Sequence, residues 1–407
     1  MGYGIFTGYG NVMLKTHKIA LNPNNKQRNW FAQQCGYARF AYNHALADFK
    51  AELDKDNFLS ATALNKRFNV AKKEHAWTKD MDQVVPNKSI FGNLSAAIAN
   101  WVGKRARFPR FKKRGKKDSF TTNNQFVEVK GPNIKLPKIG WVKMFEALRF
   151  VGKIMKVTVS RIAHRWFVSI TVYTEDTEVV DNSTYPVIGV DVGINTLATC
   201  SDGIKYNNPR PLKRYAKKLK REQRKFSRKV PKSKNGFKQK DKVARLHYRI
   251  ACIRGDAHHK ATTDIVNRAR GIGTETLKIT NMLKNKKLAK ALSDSALGGF
   301  LSKLKTKAET HGIPVTEASQ FFASSKTCSN CGHKKKELEL SERTYHCSQC
   351  NISIDRDINA AINLKPTTVG HTESHACGVQ LRPNAVQKKA RETEAGKVVW
   401  KQQLLPI

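Results

Sequence analysis

The sequence is poor in acidic residues and contains no long apolar run. Its 407 residues include 75 Lys and Arg against 32 Asp and Glu, which gives a formal net charge of +43 and a pI near 10.1. No apolar stretch approaches the roughly 18 residues that span a bilayer, and neither a membrane-surface helix nor a lipid anchor is present. Because the basic residues are spread along the whole chain, nucleic acid is the expected partner rather than a membrane.

The N-terminus argues against a secretory signal, and the isolated cysteines argue against a disulfide framework. Residues 1–12, MGYGIFTGYGNV, lack the basic region and apolar core of a secretory signal, so we interpret them as an N-terminal extension. Four of the eight cysteines are scattered along the chain, which argues against a disulfide framework; they are Cys35, Cys200, Cys252 and Cys377. A reducing cytoplasm is the expected location.

The first half of the chain changes from a helical pattern to a strand pattern. Residues 13–22 are predicted to form one strand, and residues 27–104 have the apolar spacing of helices. Residues 125–175 alternate with a period of two, and KVTVSRIAHRWFVSITVY indicates a β-hairpin. A polar linker that ends at Pro186 marks a domain boundary.

A basic segment, WVGKRARFPRFKKRGKK, lies between those two patterns. Its aromatic residues Trp101, Phe108 and Phe111 are interleaved with the charges, which favours a surface that stacks on bases while cations meet phosphates. A solvated basic loop is the alternative. The candidate nucleic-acid contacts here are Arg107, Arg110, Lys112 and Lys113.

The second half of the chain has the pattern of an α/β core. VIGVDVGINTLATCSDGIKY indicates two strands around a glycine turn, GIGTETLKI a further strand, residues 291–311 a helix and IPVTEAS a last strand. Between them, residues 210–249 are helical and strongly basic, with only Glu222 and Asp241 as acids. Such a helix is expected along a phosphate backbone, although a solvated helical hairpin is the alternative. The candidate contacts are Lys217, Arg221, Arg224 and Lys225.

Two C-x-x-C pairs predict a metal site. Four cysteines at this spacing are typical of a closed tetrahedral zinc site, which leaves no position for a reactive water. The zinc would therefore be structural and would fold a ribbon that cannot bury a core alone. A redox dithiol is the alternative. The predicted ligands are Cys328, Cys331, Cys347 and Cys350.

Three carboxylates are candidates for a second metal. Asp191 follows an apolar strand, where a buried Asp is costly without a cation or a hydrogen-bond partner, and Glu275 lies in another strand. Asp357 lies near the start of the helix INAAINL, for which Asp355 is a candidate N-cap. Each signal is weak alone, but together these hard oxygen ligands could converge on Mg²⁺ ions that hold a scissile phosphate.

Seven segments between about Met13 and Leu364 form one recognisable series. They are RFAYNHAL (39–46), FPRFKK (108–113), KLPKIGWVK (135–143), GVDVGINTLA (189–198), GTETLKITNMLKNKKLAKALSDSALGGF (273–300), SSKTCSNCG (324–332) and DRDINAAINL (355–364). In order and spacing these segments resemble the TnpB family of transposon-encoded, RNA-guided nucleases, which are related to type V CRISPR effectors.

The resemblance implies a multidomain α/β protein. Its nuclease domain would be RuvC-like with an RNase H fold, an inserted zinc ribbon, and a wedge β-barrel that carries a helical recognition insertion. The expected boundaries are 1–12 for the extension, 13–24 and 119–180 for the wedge, 25–118 for the insertion, 186–324 and 351–368 for the nuclease, 325–350 for the ribbon, and 369–407 for a loosely ordered tail.

The resemblance also implies roles for individual residues. Asp191, Glu275 and Asp357 match the family's catalytic acids, and Arg356 is expected to approach the phosphate or a metal-bound water. FTTNNQ resembles a loop that contacts a short duplex motif beside the target, so Thr122, Asn123 and Asn124 are candidates there.

The implied activity is RNA-guided cleavage of double-stranded DNA, with Mg²⁺ as catalytic cofactor and zinc as structural cofactor. A guide RNA from the transposon end would occupy the basic surfaces of a monomeric ribonucleoprotein, and base pairing would read most of the target. The alternatives are a catalytically silent RNA-guided repressor, a transposase that joins strands itself, and a zinc-ribbon protein with no enzymatic role. Leu297-Gly298-Gly299 departs from the family's Trp-Gly-Glu, and NKSIFGN (87–93) from its motif-reading helix.

Overall fold

The first half of the chain forms a seven-stranded antiparallel sheet. The computed structural model describes residues 13–174, 184–339 and 341–365. The spatial order is β2-β6-β7-β1-β5-β4-β3, with the chain's first strand in the interior. The predicted first strand and the predicted hairpin, β6 and β7, are confirmed. The strands are β1 Met13–Asn22, β2 Ser119–Thr122, β3 Glu128–Lys130, β4 Asn133–Leu136, β5 Gly140–Met144, β6 Lys153–Ile162 and β7 Arg165–Thr174.

Helices inserted between β1 and β2 cover one face of this sheet. Asn24 caps the first helix because its side chain accepts from the Gln27 backbone while the Gln27 side chain accepts from the Asn24 backbone. The rings of Phe31 and Phe49 are fully buried and join the helices to the sheet in one core. The helices are α1 Asn25–Leu53, α2 Ala61–Ala71, α3 Val84–Asn87 and α4 Ser95–Val102, with a π-helical segment at Lys88–Leu94 and 3₁₀ turns at Lys72–Glu74, Ala76–Thr78 and Asn124–Phe126.

The second half of the chain forms a five-stranded mixed sheet around a separate core. Its order is β10-β9-β8-β11-β12, with β8, β9 and β10 antiparallel and β11 parallel to both β8 and β12. The strands are β8 Val187–Val192, β9 Thr196–Cys200, β10 Lys205–Asn207, β11 Gly271–Glu275 and β12 Val315–Ala318. Only the first five residues of the predicted strand GIGTETLKI are in β11, which ends at Glu275.

Within the described residues, six α-helices lie in the same half of the chain as the second sheet. The segment predicted as one helix over 291–311 is helical but belongs to two helices, because Ala296 adopts a left-handed conformation with φ +50° between them. The turn directs Leu297, Phe300 and Leu304 into the core. The helices are α5 Pro211–Ser227, α6 Lys234–Asn267, α7 Ile279–Met282, α8 Lys286–Ser295, α9 Leu297–Thr310 and α10 Arg356–Asn363. Within the described residues, no helix has the length and apolar character to cross a membrane.

A small two-stranded hairpin precedes the last helix. Its strands are β13 Thr344–His346 and β14 Ser353–Asp355, which pair antiparallel. Because β14 ends where α10 begins, the position of α10 is tied to this hairpin. The pairing includes residues beyond Cys350, the expected ribbon boundary.

Candidate active site

The four predicted zinc ligands lie together. Their Sγ atoms are all within 4.8 Å of one another, with Cys328 3.6 Å from Cys350 and Cys331 3.5 Å from Cys347. A Zn–S bond of about 2.3 Å in a tetrahedron places sulfurs about 3.8 Å apart, so the cluster fits zinc. No second cluster of this compactness occurs among the residues that the structure describes, so the three candidate carboxylates would have to move closer together to share an ion.

Two backbone turns bring the thiols together. In the first turn, the Gly332 N–H donates to the Cys328 carbonyl at 3.0 Å, and Gly332 has φ +76°. In the second, the Asn351 N–H donates to the Cys347 carbonyl at 2.9 Å, and Asn351 has φ +57°. The Asn330 side chain and the Ile352 N–H lower the pKa of the Cys350 thiol to about 6, whereas burial and hydrogen bonds with the other thiols raise the pKa of Cys331, so in the metal-free cluster the thiolate that a metal binds is favoured at Cys350 and not at Cys331.

The ribbon has only a small apolar core. Tyr345 is fully buried beside Cys328 and Cys347, with Leu338 and Ile354 partly buried around it. This number of apolar contacts is too small to stabilise an independent unit. The metal would therefore supply much of the ribbon's stability.

The β-sheet and α10 bring the three carboxylates to one region. Asp191 lies near the end of β8 and Glu275 is the last residue of β11, and these neighbouring parallel strands pair Val190 with Thr274. Asp357 lies in the first turn of α10. Asp355 caps that helix, as predicted, by accepting from the Asp357 and Ile358 N–H groups at 3.0 and 3.1 Å.

Close packing of α10 against β8 depends on Gly189. A Cβ atom at this position would lie 1.9 Å from the Ala361 carbonyl oxygen and 2.8 Å from the Lys365 nitrogen. Only glycine lets the helix backbone approach β8 this closely, and the approach brings Asp357 near Asp191.

Two of the three carboxyl groups have strongly perturbed acidity. Burial raises the pKa of Asp191 well above its ordinary value, and the neighbouring Glu275 and Asp357 carboxylates raise it further, while Arg356 acts in the opposite direction. Burial raises the pKa of Glu275 to about 7, although a hydrogen bond from the Val192 backbone opposes the shift. Buried carboxyl groups close to one another favour a cation as their partner.

The carboxylates open onto two cavities. Asp191 and Asp357 line a cavity of about 160 Å³ together with Arg343. Glu275 lines a second cavity of about 200 Å³, which also contains Lys278 and Gln320. Oxygen donors from three elements suit a hard divalent ion, which would draw the three side chains closer.

The structure distinguishes two arginines near these groups. Arg356, the predicted candidate, donates from Nη1 to the carbonyl oxygens of Glu339 and Glu342, so its guanidinium is fixed to the ribbon. Arg343 lines the Asp191 cavity, but sequence reasoning missed it. The hairpin register, which pairs Thr344 with Asp355, could have indicated it, because residue 343 then lies beside Arg356.

Lys205 is another residue that the sequence did not indicate. Its Nζ lies 2.7 Å from Asp355 Oδ2, while Asp355 Oδ1 caps α10. The contact connects β10 to the helix that carries Asp357, so Lys205 helps to position that carboxylate.

The basic segment between α4 and β2 differs from its expected form. Trp101 and Phe108 pack against the first core, with ring centroids 5.1 Å apart, so they do not form a base-stacking surface. Lys112 lies 3.9 Å from the Tyr42 ring centroid, and burial lowers its pKa to about 8. Three candidate cations and one aromatic ring of this segment remain exposed: Arg107, Arg110, Lys113 and Phe111.

The candidates for duplex-motif recognition are only partly accessible. Thr122 is 1% exposed and its hydroxyl donates to Asp82, so it does not present that hydroxyl to a ligand. Asn123 caps the following turn and Asn124 donates to the Ile154 carbonyl, and both are half-buried. The four candidate cations of α5 lie on its solvent-facing side: Lys217, Arg221, Arg224 and Lys225.

The fold and the site define a mixed α/β protein with a four-cysteine metal site built against a carboxylate-bearing sheet. Family models match at residues 169–286, described as "Probable transposase", at 298–364, described as "Cas12f1-like, TNB domain", and at 13–57, described as "Helix-turn-helix domain". The chain belongs to the TnpB/OrfB family.

Two relatives match almost from end to end. The Escherichia coli K12 protein named "Putative RNA-guided DNA endonuclease InsQ" is 32% identical over 91% of this chain and 95% of its own. A Streptomyces pristinaespiralis protein named "Putative RNA-guided DNA endonuclease" is 32% identical over 91% and 92%. A chain from a cryo-EM structure of a Cas12f1-sgRNA-target DNA complex is 16% identical over 87% of this chain and 99% of its own, with a TM-score of 0.35, which is too low to establish a shared fold.

Proposed function

We propose that this protein is an RNA-guided DNA endonuclease that hydrolyses phosphodiester bonds at Asp191, Glu275 and Asp357. The observation that carries the proposal is the placement of these carboxylates in one region by two neighbouring parallel strands and a helix start, with raised pKa values at Asp191 and Glu275. In a chain of net charge +43, such a group is best explained by a catalytic cation. The names of the two full-length relatives support the same activity.

The sheet topology supports a RuvC-like nuclease domain of the RNase H type. Three antiparallel strands are followed by two parallel ones, and Asp191 and Glu275 lie at the ends of the central pair. The seven-stranded sheet with its inserted helices supports the proposed wedge and recognition insertion, with the boundaries given above.

The proposed chemistry divides between the carboxylates and Arg343. Asp191, Glu275 and Asp357 would hold a pair of Mg²⁺ ions, which when bound supply water activation and stabilise the leaving oxygen. Arg343, on the rim of the Asp191 cavity, would contact the scissile phosphate. Arg356 would act indirectly, because it holds the ribbon against the start of α10. The zinc ribbon would thus supply both Arg343 and the position of Asp357.

The exposed basic surfaces would bind nucleic acid. The α5 cations and the exposed residues of the basic segment suit the phosphates of a guide RNA from the transposon end, in a monomeric ribonucleoprotein. Asn123 and Asn124 would contact a short duplex motif, while base pairing would read the rest of the double-stranded target. The DNA substrate would place the protein at the nucleoid of a prokaryotic cell.

The proposal is tested by removing one carboxylate. We expect Asp191→Ala to abolish Mg²⁺-dependent cleavage of a matched plasmid while RNA and target binding persist, because the side chain acts on the reacting phosphate. Asp256→Ala is the matched control, since Asp256 is exposed on α6, where it pairs with Lys260. Cleavage by Asp191→Ala at the normal rate would refute the assignment, and strand transfer without any RNA would favour a transposase.

A further inference from the structure

The outer face of β3, β4 and β5 exposes a tryptophan on a regular strand. Along β5, Val142 and Met144 point into the core, while Trp141 and Lys143 face outward, and Trp141 is 42% exposed. Phe145 continues this outward row and is 64% exposed. Four residues of strand separate the two rings by about 13 Å. Exposed aromatic rings on a sheet face are a common way to bind unpaired bases.

Cations surround both rings. Lys135 is the cross-strand partner of Trp141, and Lys130 Nζ lies 5.7 Å from the tryptophan ring centroid. Arg165 lies 5.9 Å from the Phe145 centroid. Glu128 is an acid of this face and is paired with Lys135 at 2.7 Å. The aromatic surface is therefore surrounded by positively charged side chains, which suit the phosphates of a polyanion better than an apolar protein partner.

A cavity of about 570 Å³ lies between the first turns of α1 and the residues that directly precede β5. The Gln27 side chain, at the start of α1, donates to the Trp141 carbonyl at 2.9 Å, and this contact connects α1 to β5. The wall offers both cations and neutral polar groups, with a carboxylate as well; its residues are Lys26, Asn29, Trp30, Gln33, Asp80, Lys138 and Ile139. A carboxylate accepts hydrogen bonds and repels phosphate, so Asp80 suits the hydroxyl or amino donors of a nucleoside.

We propose that this face binds an unpaired segment of RNA, with one base stacked on Trp141 and a second on Phe145. We name it the Trp141 platform and define it by Trp141, Phe145, Lys130, Lys135 and Lys143. The lysines pair with the phosphates, and the adjoining cavity accepts a neighbouring nucleoside. The inference rests on the proposed RNA-guided function and specifies where one single-stranded part of that RNA binds.

RNA is favoured over the DNA substrate by two features. The carboxylates that would cut DNA lie in the five-stranded sheet, whereas the platform belongs to the seven-stranded sheet. In addition, the acceptor groups of Asp80 and Gln33 in the cavity wall suit a ribose 2′-hydroxyl, which DNA lacks.

The test compares two substitutions of the same ring in the full-length chain. Trp141→Leu keeps an apolar side chain without an aromatic face, and Trp141→Phe keeps a face. With a fluorescein-labelled oligouridine as probe, we expect Trp141→Leu to weaken binding about tenfold and Trp141→Phe less than about threefold. Phe58→Leu is the matched control, because Phe58 is 57% exposed in the loop between α1 and α2.

A cross-linking measurement locates the contact. After ultraviolet irradiation of the protein with its co-purified RNA, we expect a nucleotide adduct on the tryptic peptide IGWVK, residues 139–143. Absence of the adduct together with equal binding by Trp141→Leu and the wild type would overturn the proposal. An equal reduction in affinity for oligothymidine would overturn the choice of RNA.

The outcomes also separate this inference from the proposed function. Normal guided cleavage and normal RNA binding by Trp141→Leu would remove the platform and leave the nuclease assignment intact. An adduct on IGWVK in a wild-type protein that cuts no DNA would support the platform and remove the nuclease assignment. A wild-type protein that binds no RNA would overturn both.

Discussion

At the scale of single residues, Asp191 and Glu275 are costly groups for the fold. Each is a carboxyl group whose pKa is raised chiefly by burial, and within the described residues neither forms an ion pair with a lysine or arginine. By contrast Asp355, which caps α10 and is paired with Lys205, has a lowered pKa. Folding alone would favour neutral residues at 191 and 275, so the carboxyl groups there indicate a function that uses the charge.

The raised pKa of Glu275 predicts a pH-dependent change in stability. Its pKa rises from 4.5 to about 7 on folding, so the stability that the protonated group provides is lost as pH increases through that interval. In metal-free buffer we expect Glu275→Gln to raise the free energy of unfolding at about pH 8 by about 1–3 kcal/mol relative to wild type, and by much less at about pH 4.5.

Urea unfolding at both pH values measures this effect. Glu317→Gln is the control, because Glu317 lies on the neighbouring strand β12 and forms a 2.6 Å ion pair with Lys305. An equal gain in stability at the acidic and the alkaline pH would contradict the assignment. Millimolar Mg²⁺ should reduce the advantage of the variant, since only the wild-type carboxylate binds the ion.

At the scale of secondary-structure elements, two contacts place α10. Gly189 lets the helix pack on β8, and the ribbon hairpin leads directly into the helix through Asp355. The Asn359 side chain completes the arrangement by donating to the Thr327 carbonyl at 2.7 Å and accepting from the Ser329 N–H at 2.9 Å. The ribbon and the sheet therefore position Asp357 together.

Because α10 packs so closely at Gly189, adding one methyl group there is expected to affect both cleavage and stability strongly. We expect Gly189→Ala to abolish cleavage and lower stability by about 1–3 kcal/mol or more, because the Cβ would lie 1.9 Å from the Ala361 oxygen and push α10 away from β8. Cleavage assays and urea unfolding measure both effects. Gly255→Ala is the control, since a Cβ there meets nothing within 4 Å and alanine favours its helix. Equal activity of the two variants would exclude this role for Gly189.

The four-cysteine ribbon is expected to hold a structural zinc, and loss of that zinc is expected to reduce cleavage indirectly. We expect one zinc per chain by elemental analysis, and we expect Cys350→Ser to lose zinc and most cleavage because the hairpin no longer holds Arg343 and Asp357. Cys252→Ser is the control, because Cys252 is exposed on α6 outside the cluster. Full cleavage by zinc-free protein would show that the hairpin folds without metal.

At the scale of the whole molecule, charge is distributed unevenly. α5 and the start of α6 expose many basic side chains, and the acid between them, Glu222, is buried and paired with Arg221 and Lys225. The Gln239 side chain donates to that carboxylate at 2.7 Å and so joins the two helices. This helical pair presents a basic surface to solvent, as expected for a phosphate-binding element.

The basic surface predicts a salt-dependent decrease in RNA affinity. Replacing Lys217, Arg221, Arg224 and Lys225 by Ala should reduce the slope of log affinity against log salt by roughly 3, because each cation that meets a phosphate of a single strand contributes about 0.7 to that slope. Filter binding between about 50 and 300 mM salt measures the slope. The control is an equal set of lysines on the helical insertion, Lys55, Lys66, Lys73 and Lys79. A common slope for both sets would mean that α5 does not meet the RNA.

Local patterns were predicted well where short-range spacing decides the structure. The cysteine cluster, the Asp355 cap, the first strand and the β6–β7 hairpin all follow from neighbours within a few residues or from a fixed motif spacing. The contacts of Lys112 with Tyr42 and of Thr122 with Asp82 could not be predicted in this way, since these partners are distant in sequence. The break at Ala296 within the helical segment 291–311 was not predicted, because a left-handed alanine is set by packing and not by propensity.

Composition and residue spacing were enough to establish the net charge, the ligand set of the ribbon and membership of the family, since both are local properties of the chain. Only the folded structure shows which carboxylates lie in one region, why glycine is required at 189, that Arg343 lines the cavity while Arg356 holds the ribbon, and that Trp141 remains exposed. Each of these depends on contacts between distant segments, and side-chain exposure is known only when those contacts have formed.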